Sequence, residues 1–367
     1  MRNLQKKLKT QSAGKMRSMT GWFNAATTAL AIVISLAIAF VIIFIVSDDP
    51  GQAIRSLVVG PLSSVRNFGT VIETMITITF TGLAVCVMFQ AGQMNMAAEG
   101  AFFLGAMAAA AVSTMLNLPS VLSILFSLLA GAFTGAVLCL VPAALRAKFG
   151  ASEMVSSLML NYVSLYLGLF FLNYFLRDAS FGMLASPAVD SSKKLTQFIP
   201  KTRVHTGIFI AVLLVFVVYI LIYKTKTGYN IRCVGNNASF ANYSGLKVGS
   251  AIVASQVIGG AIAGLGGGVE LLGMYDRFQW TTLPGYGWDG IIIAILARNK
   301  PQFIPLSAFF LSYLRIGSSI MARTTDVPAE LITVIQAIMI MLVTATALLG
   351  KLRHRFVIKE AMANGDS

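Results

Sequence analysis

The sequence predicts an all-α chain: a polytopic transmembrane helical bundle of about ten spans with inverted repeats and broken short helices. Three observations predict it. Of the 367 residues, 56% are apolar and 11% are charged, where soluble domains carry roughly 25% charged residues. Apolar runs recur along the chain at lengths near the ~20 residues that cross a hydrocarbon core. Two of the runs open on polar, glycine-rich breaks, the mark of helices that start within a membrane.

Residues 1–20 hold six basic and no acidic residues and read as a cytosolic segment. The first span, 25–46, is longer than a signal-peptide core, lacks a small-residue cleavage site and ends in the loop sequence SDDPG, so it reads as a span and not a leader. Further spans are expected at 70–90, 97–116, 121–145, 154–176, 206–223, 250–272, 287–297, 304–322 and 329–349. The ninth is flanked by Pro301 and Pro328, and the eighth is too short to cross unless residues 283–288 join it. The transmembrane domain is thus expected over 21–350, with a cytosolic tail at 351–367.

Charge sets the expected orientation. With the N-terminus cytosolic, the inner segments hold eighteen Lys and Arg and the outer ones nine, of which the longest outer loop, 177–205, holds five. That two-to-one bias fits the positive-inside rule with both ends in the cytosol. The net charge of +14 therefore belongs to span ends in contact with lipid headgroups. No basic stripe is interleaved with aromatics, so no nucleic-acid partner is expected.

Three scattered cysteines, Cys86, Cys139 and Cys233, give no disulfide framework, and His205 and His354 stand far apart; no metal site or other cofactor is expected. There is no GxxxxGK[ST], HExxH or GxSxG. The chain has no visible means of hydrolysing ATP and no covalent catalyst, and is not expected to be an enzyme.

Four polar features interrupt the apolar runs. In FQAGQMNMAAEGAFFLG, residues 89–105, Gly92 can end one helix, Asn95 can cap the next, and Glu99 sits in its first turn. Spacing alone fits either a tight helical hairpin with ordinary caps or a discontinuous helix whose backbone lines a solute path. In LPGYGWDGIIIAILARNKP, residues 283–301, Asp289 either favours the positive end of a helix dipole or faces a water-filled path. These two elements fall at equivalent places, the third and eighth spans, so spans two to five and seven to ten are expected to be inverted repeats. Gly260, Gly264 and Gly268 share a helical face, as do Gly131 and Gly135, and read as packing seams. The largest inner loop, 224–250, holds a short helix-compatible stretch at 237–244 that Asn236 or Asn237 can cap, which suits a docking surface. Glu73, Glu270 and Arg315 are assigned snorkelling or paired structural roles.

The stretch GLAVCVMFQAGQMNMAAEGAFFLGA resembles a signature of bacterial ABC-importer permeases for nucleosides and simple sugars. The likeness continues through SEMVSSLMLNYVSLYL, RCVGNNASFANYSGLKV, SQVIGGAIAGLGGGVELLG and GYGWDGIIIAILARNKP, in order over about residues 73–349. LMLNY and GWDG…ILARN are most similar to the nucleoside branch. Ala101 stands where the family has Gln, and Asn95-Met96-Ala97 where it has Asn-Ile-Gly.

The resemblance implies two permease subunits, identical or not, two cytosolic ATP-binding subunits and an extracytoplasmic substrate-binding protein. It also implies that residues 232–246 hold the helix that couples to the ATPase, with Arg232, Gly235, Asn236, Asn237, Ala238, Ala241 and Gly245 as the contact set. The expected function is nucleoside import across the cytoplasmic (inner) membrane. Alternatives are a simple-sugar permease, a branched-chain amino-acid permease, an ion-driven carrier and a membrane enzyme. An ion-driven carrier would need ionisable groups deep in the bundle, and the candidates here lie mostly near helix ends. The solute is expected to pass between the third and eighth spans along Phe89, Asn95, Glu99, Asn161, Trp288 and Asp289. Thiol labelling of intact cells tests the orientation: Cys233 is expected to stay protected while cysteines placed in 177–205 react, and labelling of Cys233 would reverse it.

Overall fold

The computed structural model describes residues 40–328, together with Val33, Ile34, Ala37, Ile38, Thr333, Val334, Ala337, Ile338 and Met341. The basic segment 1–20, half of the first expected span, most of the tenth and the tail 351–367 lie outside the described residues. Among the described residues, seven helices are long and apolar enough to cross a membrane, and an eighth apolar helix is shorter.

The elements are α1 (Pro50–Val58), α2 (Val65–Gln90), α3 (Ala98–Met115), α4 (Ser120–Phe149), α5 (Glu153–Tyr174) and α6 (Gly207–Lys224). There follow α7 (Lys226–Asn236), α8 (Ala238–Tyr243), α9 (Val248–Met274), α10 (Tyr286–Leu296) and α11 (Ile304–Thr324). The second to ninth expected spans are all found, in order. The loop 224–250 departs from expectation, holding two helices where one was expected. Thr225 starts the extra one, α7, by accepting from the Gly228 N–H at 3.1 Å, and Ile231 and Val234 bury its apolar face.

The chain forms two compact units. The smaller contains 40–58 and 318–328 of the described residues, and Ile43, Ala53, Leu57, Met321 and Val327 form its core. There the Asp48 N–H and the Ser47 hydroxyl donate to Asp326 at 2.9 and 2.8 Å, and these bonds hold its carboxyl below the usual range.

The larger unit, 59–317, is organised around α9. Lipid gives helices no hydrophobic drive to associate, so close backbone approach must supply the packing. Gly260 and Gly264 of α9 meet Gly131 and Gly135 of α4, and Gly264 also meets Gly105 of α3. Gly267 lies so near α3 that a Cβ there would sit 2.0 Å from the Phe102 carbonyl oxygen, while Gly266 meets Phe80 of α2. Gly268 continues the seam one turn further, facing Ala109 of α3 and Leu128 of α4. Glycines on several sides thus let three helices close on a fourth. By contrast, α6 exposes Phe209, Val212, Leu213, Phe216 and Val217, a face suited to lipid.

The loop between α5 and α6 covers one end of this unit. Its Ser186 and Leu195 N–H groups donate to the carbonyls of Phe278 and Leu272 at 2.9 and 3.0 Å. Lys193 donates to the Ser113 and Leu116 carbonyls at 3.1 and 3.2 Å, satisfying the C-terminal end of α3. Asp178, held below the usual carboxyl range by Ser180 and then by Arg277, ties the loop to the segment after α9. His205 is buried against Gly207 and Gly273, and burial pushes its pKa down to about 4. Replacing Gly267 by Ala is expected to destabilise the unit by about 1–3 kcal/mol through overpacking. The check is thermal unfolding of the detergent-solubilised protein, with Gly268→Ala, whose added Cβ meets its neighbours no closer than 3.3 Å, losing less.

Candidate functional site

Two helices of the larger unit, α3 and α10, each follow an irregular, glycine-containing break. α2 ends at Gln90, and Gly92, at φ +71°, turns the chain while its N–H bonds to the Phe89 carbonyl at 2.9 Å. Residues 91–97 then lead irregularly to α3. Irregular backbone at membrane depth is tolerated only where protein satisfies it. Here α5 does so, presenting Ser157, Asn161 and Ser164 on one buried stripe. The Ser157 hydroxyl accepts from the Met96 N–H at 3.0 Å. Asn161 donates to the Met96 carbonyl at 3.0 Å and accepts from the Gly100 N–H at 2.9 Å. Gly100 has no room for a Cβ, which would lie 2.7 Å from the Ser164 hydroxyl and 2.9 Å from Asn161 Oδ1. Asn95 does not cap α3, whose N-cap is Ala97; its Oδ1 accepts from the Ala97 N–H at 2.7 Å in a local turn, and its Nδ2 is buried without a protein partner.

The second break precedes α10. Gly285, at φ +86°, is the N-cap, and at ~1.5 Å per residue the 11 residues of α10 extend only about 16 Å, half a hydrocarbon core. Its far end closes through Arg298 and Asn299, both at positive φ, and Gln90 donates to the Asn299 carbonyl at 2.5 Å.

Glu99 joins the two breaks. Its buried carboxylate accepts from the Gly285 N–H at 2.6 Å and from the Gly287 N–H. The first turn of α3 therefore supplies the anion that fills the positive end of α10. Gly287 is required there, since a Cβ would sit 2.5 Å from the Glu99 amide nitrogen. Asp289, expected either to cap or to face water, pairs with Arg315 of α11, whose guanidinium lies 5.8 Å from the Tyr286 ring centroid. Glu99, Asn95 and Asn161 thus gather with Trp288 and Asp289 around the junction of α3 and α10. Trp288 is 47% exposed. Phe89 stands apart, half-buried on the last turn of α2.

Sequence reading assigned Glu270 only a structural role. It is buried, with the Thr77 hydroxyl donating to Oε2 and the Tyr286 hydroxyl to Oε1 at 3.3 Å. The only signal in the sequence is a carboxylate within an apolar span.

At the other candidate surface, Asn237 caps α8, its Oδ1 accepting from the Phe240 N–H at 3.0 Å. Ala241 is buried against Val234, Ala251 and Ile252, whereas Ala238, Phe240 (66%) and Tyr243 (91%) are exposed. Gly235 abuts α2, its added Cβ falling 2.0 Å from the Gln90 carbonyl oxygen. Arg232 lies 5.2 Å from the Tyr223 ring centroid. Asn236 and Gly245 are exposed.

A polytopic bundle in which one short helix, α10, is capped by a carboxylate from another span is an arrangement found in membrane transport proteins. The chain belongs to the family described as "Branched-chain amino acid transport system / permease component", matched over residues 67–344. It is 31% identical over 335 residues to a glucose ABC transporter permease of Haloferax volcanii, covering 89% of this chain and 88% of that one. It is 29% identical to a guanosine ABC transporter permease of Bacillus subtilis, covering 89% and 96%. It is 26% identical to a nucleoside ABC transporter permease of Lactococcus lactis subsp. cremoris, covering 85% and 88%. No solved structure matches the chain. It is a multi-pass membrane transport component.

Replacing Asn161 by Ala is expected to strand the Met96 carbonyl and the Gly100 N–H, at about 1–3 kcal/mol for each buried unsatisfied group. Glu99→Ala is expected to release the start of α10 as well. Hydrogen exchange of residues 96–100 and 285–289 checks both, with Asn161→Ala deprotecting the first segment and Glu99→Ala the second.

Proposed function

We propose that this chain is the membrane-spanning permease subunit of an ATP-driven importer that carries nucleosides across the cytoplasmic membrane. The observation that carries the reading is the family match across residues 67–344, together with relatives named for guanosine and nucleosides over most of their length. Energy comes from a separate ATP-binding subunit docked on α8. That short helix supports the assignment because its own fold buries only Ala241 and leaves Phe240 and Tyr243 outward at a loop that is cytosolic in the charge-based orientation. The coupling contact is therefore Ala238, Phe240 and Tyr243, with Asn237 capping the helix and Gly235 seating it.

A second permease subunit and an extracytoplasmic binding protein complete the assembly, with both termini cytosolic and the transmembrane domain at 21–350. Solute passes at the α3–α10 junction, along Asn95, Glu99, Asn161, Trp288 and Asp289, with Phe89 near the inner end. An uncharged, polar solute suits a site where amides and carboxylates lie beside aromatic faces. A sugar reading is carried by the Haloferax relative, named for glucose at 31% identity.

Uptake of labelled guanosine and labelled glucose by cells expressing the full transporter distinguishes the two. Guanosine is expected to accumulate in an ATP-dependent manner, and glucose uptake alone would move the protein to the sugar branch. Phe240→Asp is expected to lower uptake at least about tenfold with the permease still inserted, since a lost interface anchor costs roughly 2 kcal/mol. Unchanged uptake would remove α8 as the coupling helix. Charging Ala241 is the weaker test, because that side chain is packed inside the fold.

A further inference from the structure

Packing alone does not explain why position 270 carries an ionisable group. Thr77 and Tyr286 are neutral donors that do not compensate a charge, and a carboxylate within a membrane span is costly unless it is paired or functional. None of the ion pairs among the described residues involves Glu270. A carboxylate offers about four lone-pair sites, and here two neutral hydroxyls occupy it. The bond from Tyr286 is the longer, at 3.3 Å. Tyr286 is the first residue of α10, its backbone set between Gly285 and Gly287, which Glu99 holds. Its hydroxyl therefore leaves Glu270 by rotation of the side chain, while Thr77, deep in α2, holds the carboxylate in place.

Aromatic faces flank the same spot. Phe102 meets the Tyr286 ring edge-on at 5.3 Å and stacks on Trp280 at 5.9 Å. Tyr275 closes on Trp280 at 5.4 Å. A two-oxygen acceptor beside ring faces, already occupied by hydroxyl groups, is matched by a solute that carries adjacent hydroxyls on a flat or ring-shaped body.

We propose that Glu270 reads a vicinal diol on the transported solute, its two oxygens accepting from neighbouring hydroxyls as the Tyr286 hydroxyl gives way. The solute ring lies against Tyr286 and Phe102. The inference rests on the transport reading above and names its substrate class: ribonucleosides and aldoses share this diol, whereas 2′-deoxyribonucleosides lack it.

The test is uptake of labelled guanosine and 2′-deoxyguanosine by the full transporter, for the wild type, Glu270→Gln and Tyr286→Phe. Complex assembly and ATPase activity are confirmed on the purified complexes. Losing a charge-assisted hydrogen bond changes a rate on the order of tenfold to a hundredfold. The wild type is expected to favour guanosine at least about tenfold, and Glu270→Gln to bring that ratio close to one by slowing guanosine alone. Tyr286→Phe, which removes only the placeholder hydroxyl, is expected to keep the preference. An equal loss of both solutes in Glu270→Gln, an unchanged ratio, or no preference in the wild type would overturn the proposal while leaving nucleoside import standing. If only glucose enters, the nucleoside reading fails and the diol is tested with glucose against 2,4-dideoxyglucose, which has no adjacent hydroxyl pair. There a tenfold preference lost in Glu270→Gln supports the proposal, and a preference kept or absent overturns it.

Discussion

The contact between the Glu99 carboxylate and the N–H groups of Gly285 and Gly287 sets the terms for the rest of this fold. A helix that starts inside an apolar layer presents several backbone donors with no water to receive them, each costing several kcal/mol if stranded. The chain meets that demand at one break with a carboxylate that belongs to the other. Because Glu99 lies in the first turn of α3, its place depends on the 91–97 segment, which depends in turn on Ser157 and Asn161 of α5. Four elements are thereby fixed by one chain of polar contacts running through an otherwise apolar unit.

Glycine supplies the complementary constraint. The polar contacts are short, so the helices that carry them must approach to backbone distance, which Gly100 and Gly287 permit, while α9 closes on α3 and α4 by lacking side chains at Gly260, Gly264 and Gly267. At Gly268 the approach is less close but still tight, an added Cβ falling 3.3 Å from Ala109 and Leu128. Dispersion between surfaces in near contact is individually small and collectively large, and in lipid it takes over the part that water plays in soluble cores.

Much of this was legible in the sequence, for identifiable reasons. Spans two to nine follow from apolar length, the glycine seam from i, i+4 spacing, and the breaks from glycines next to polar residues. Distance in sequence hid the rest. Nothing local links Glu99 to Gly285, Asn161 to Met96, or Asp289 to Arg315; each pairing is made only when helices converge. The cap of α3 was misplaced because Asn95 bonds two residues ahead and leaves Ala97 to start the helix. α7 was missed because its segment reads as polar loop, and only packing of Ile231 and Val234 makes it helical. The inward turn of Ala241 was hidden for the same reason.

Gly235 has a mechanical consequence. It rests on the carbonyl of Gln90, the last residue of α2, and the Gln90 side chain grips the carbonyl of Asn299 just beyond α10. α7, the end of α2 and the far end of α10 therefore meet at one residue, two positions before the left-handed turn at Gly92. With no room for a Cβ between Gly235 and Gln90, a displacement of α7 is passed directly to Gln90, which adjoins both the break before α3 and the far end of α10.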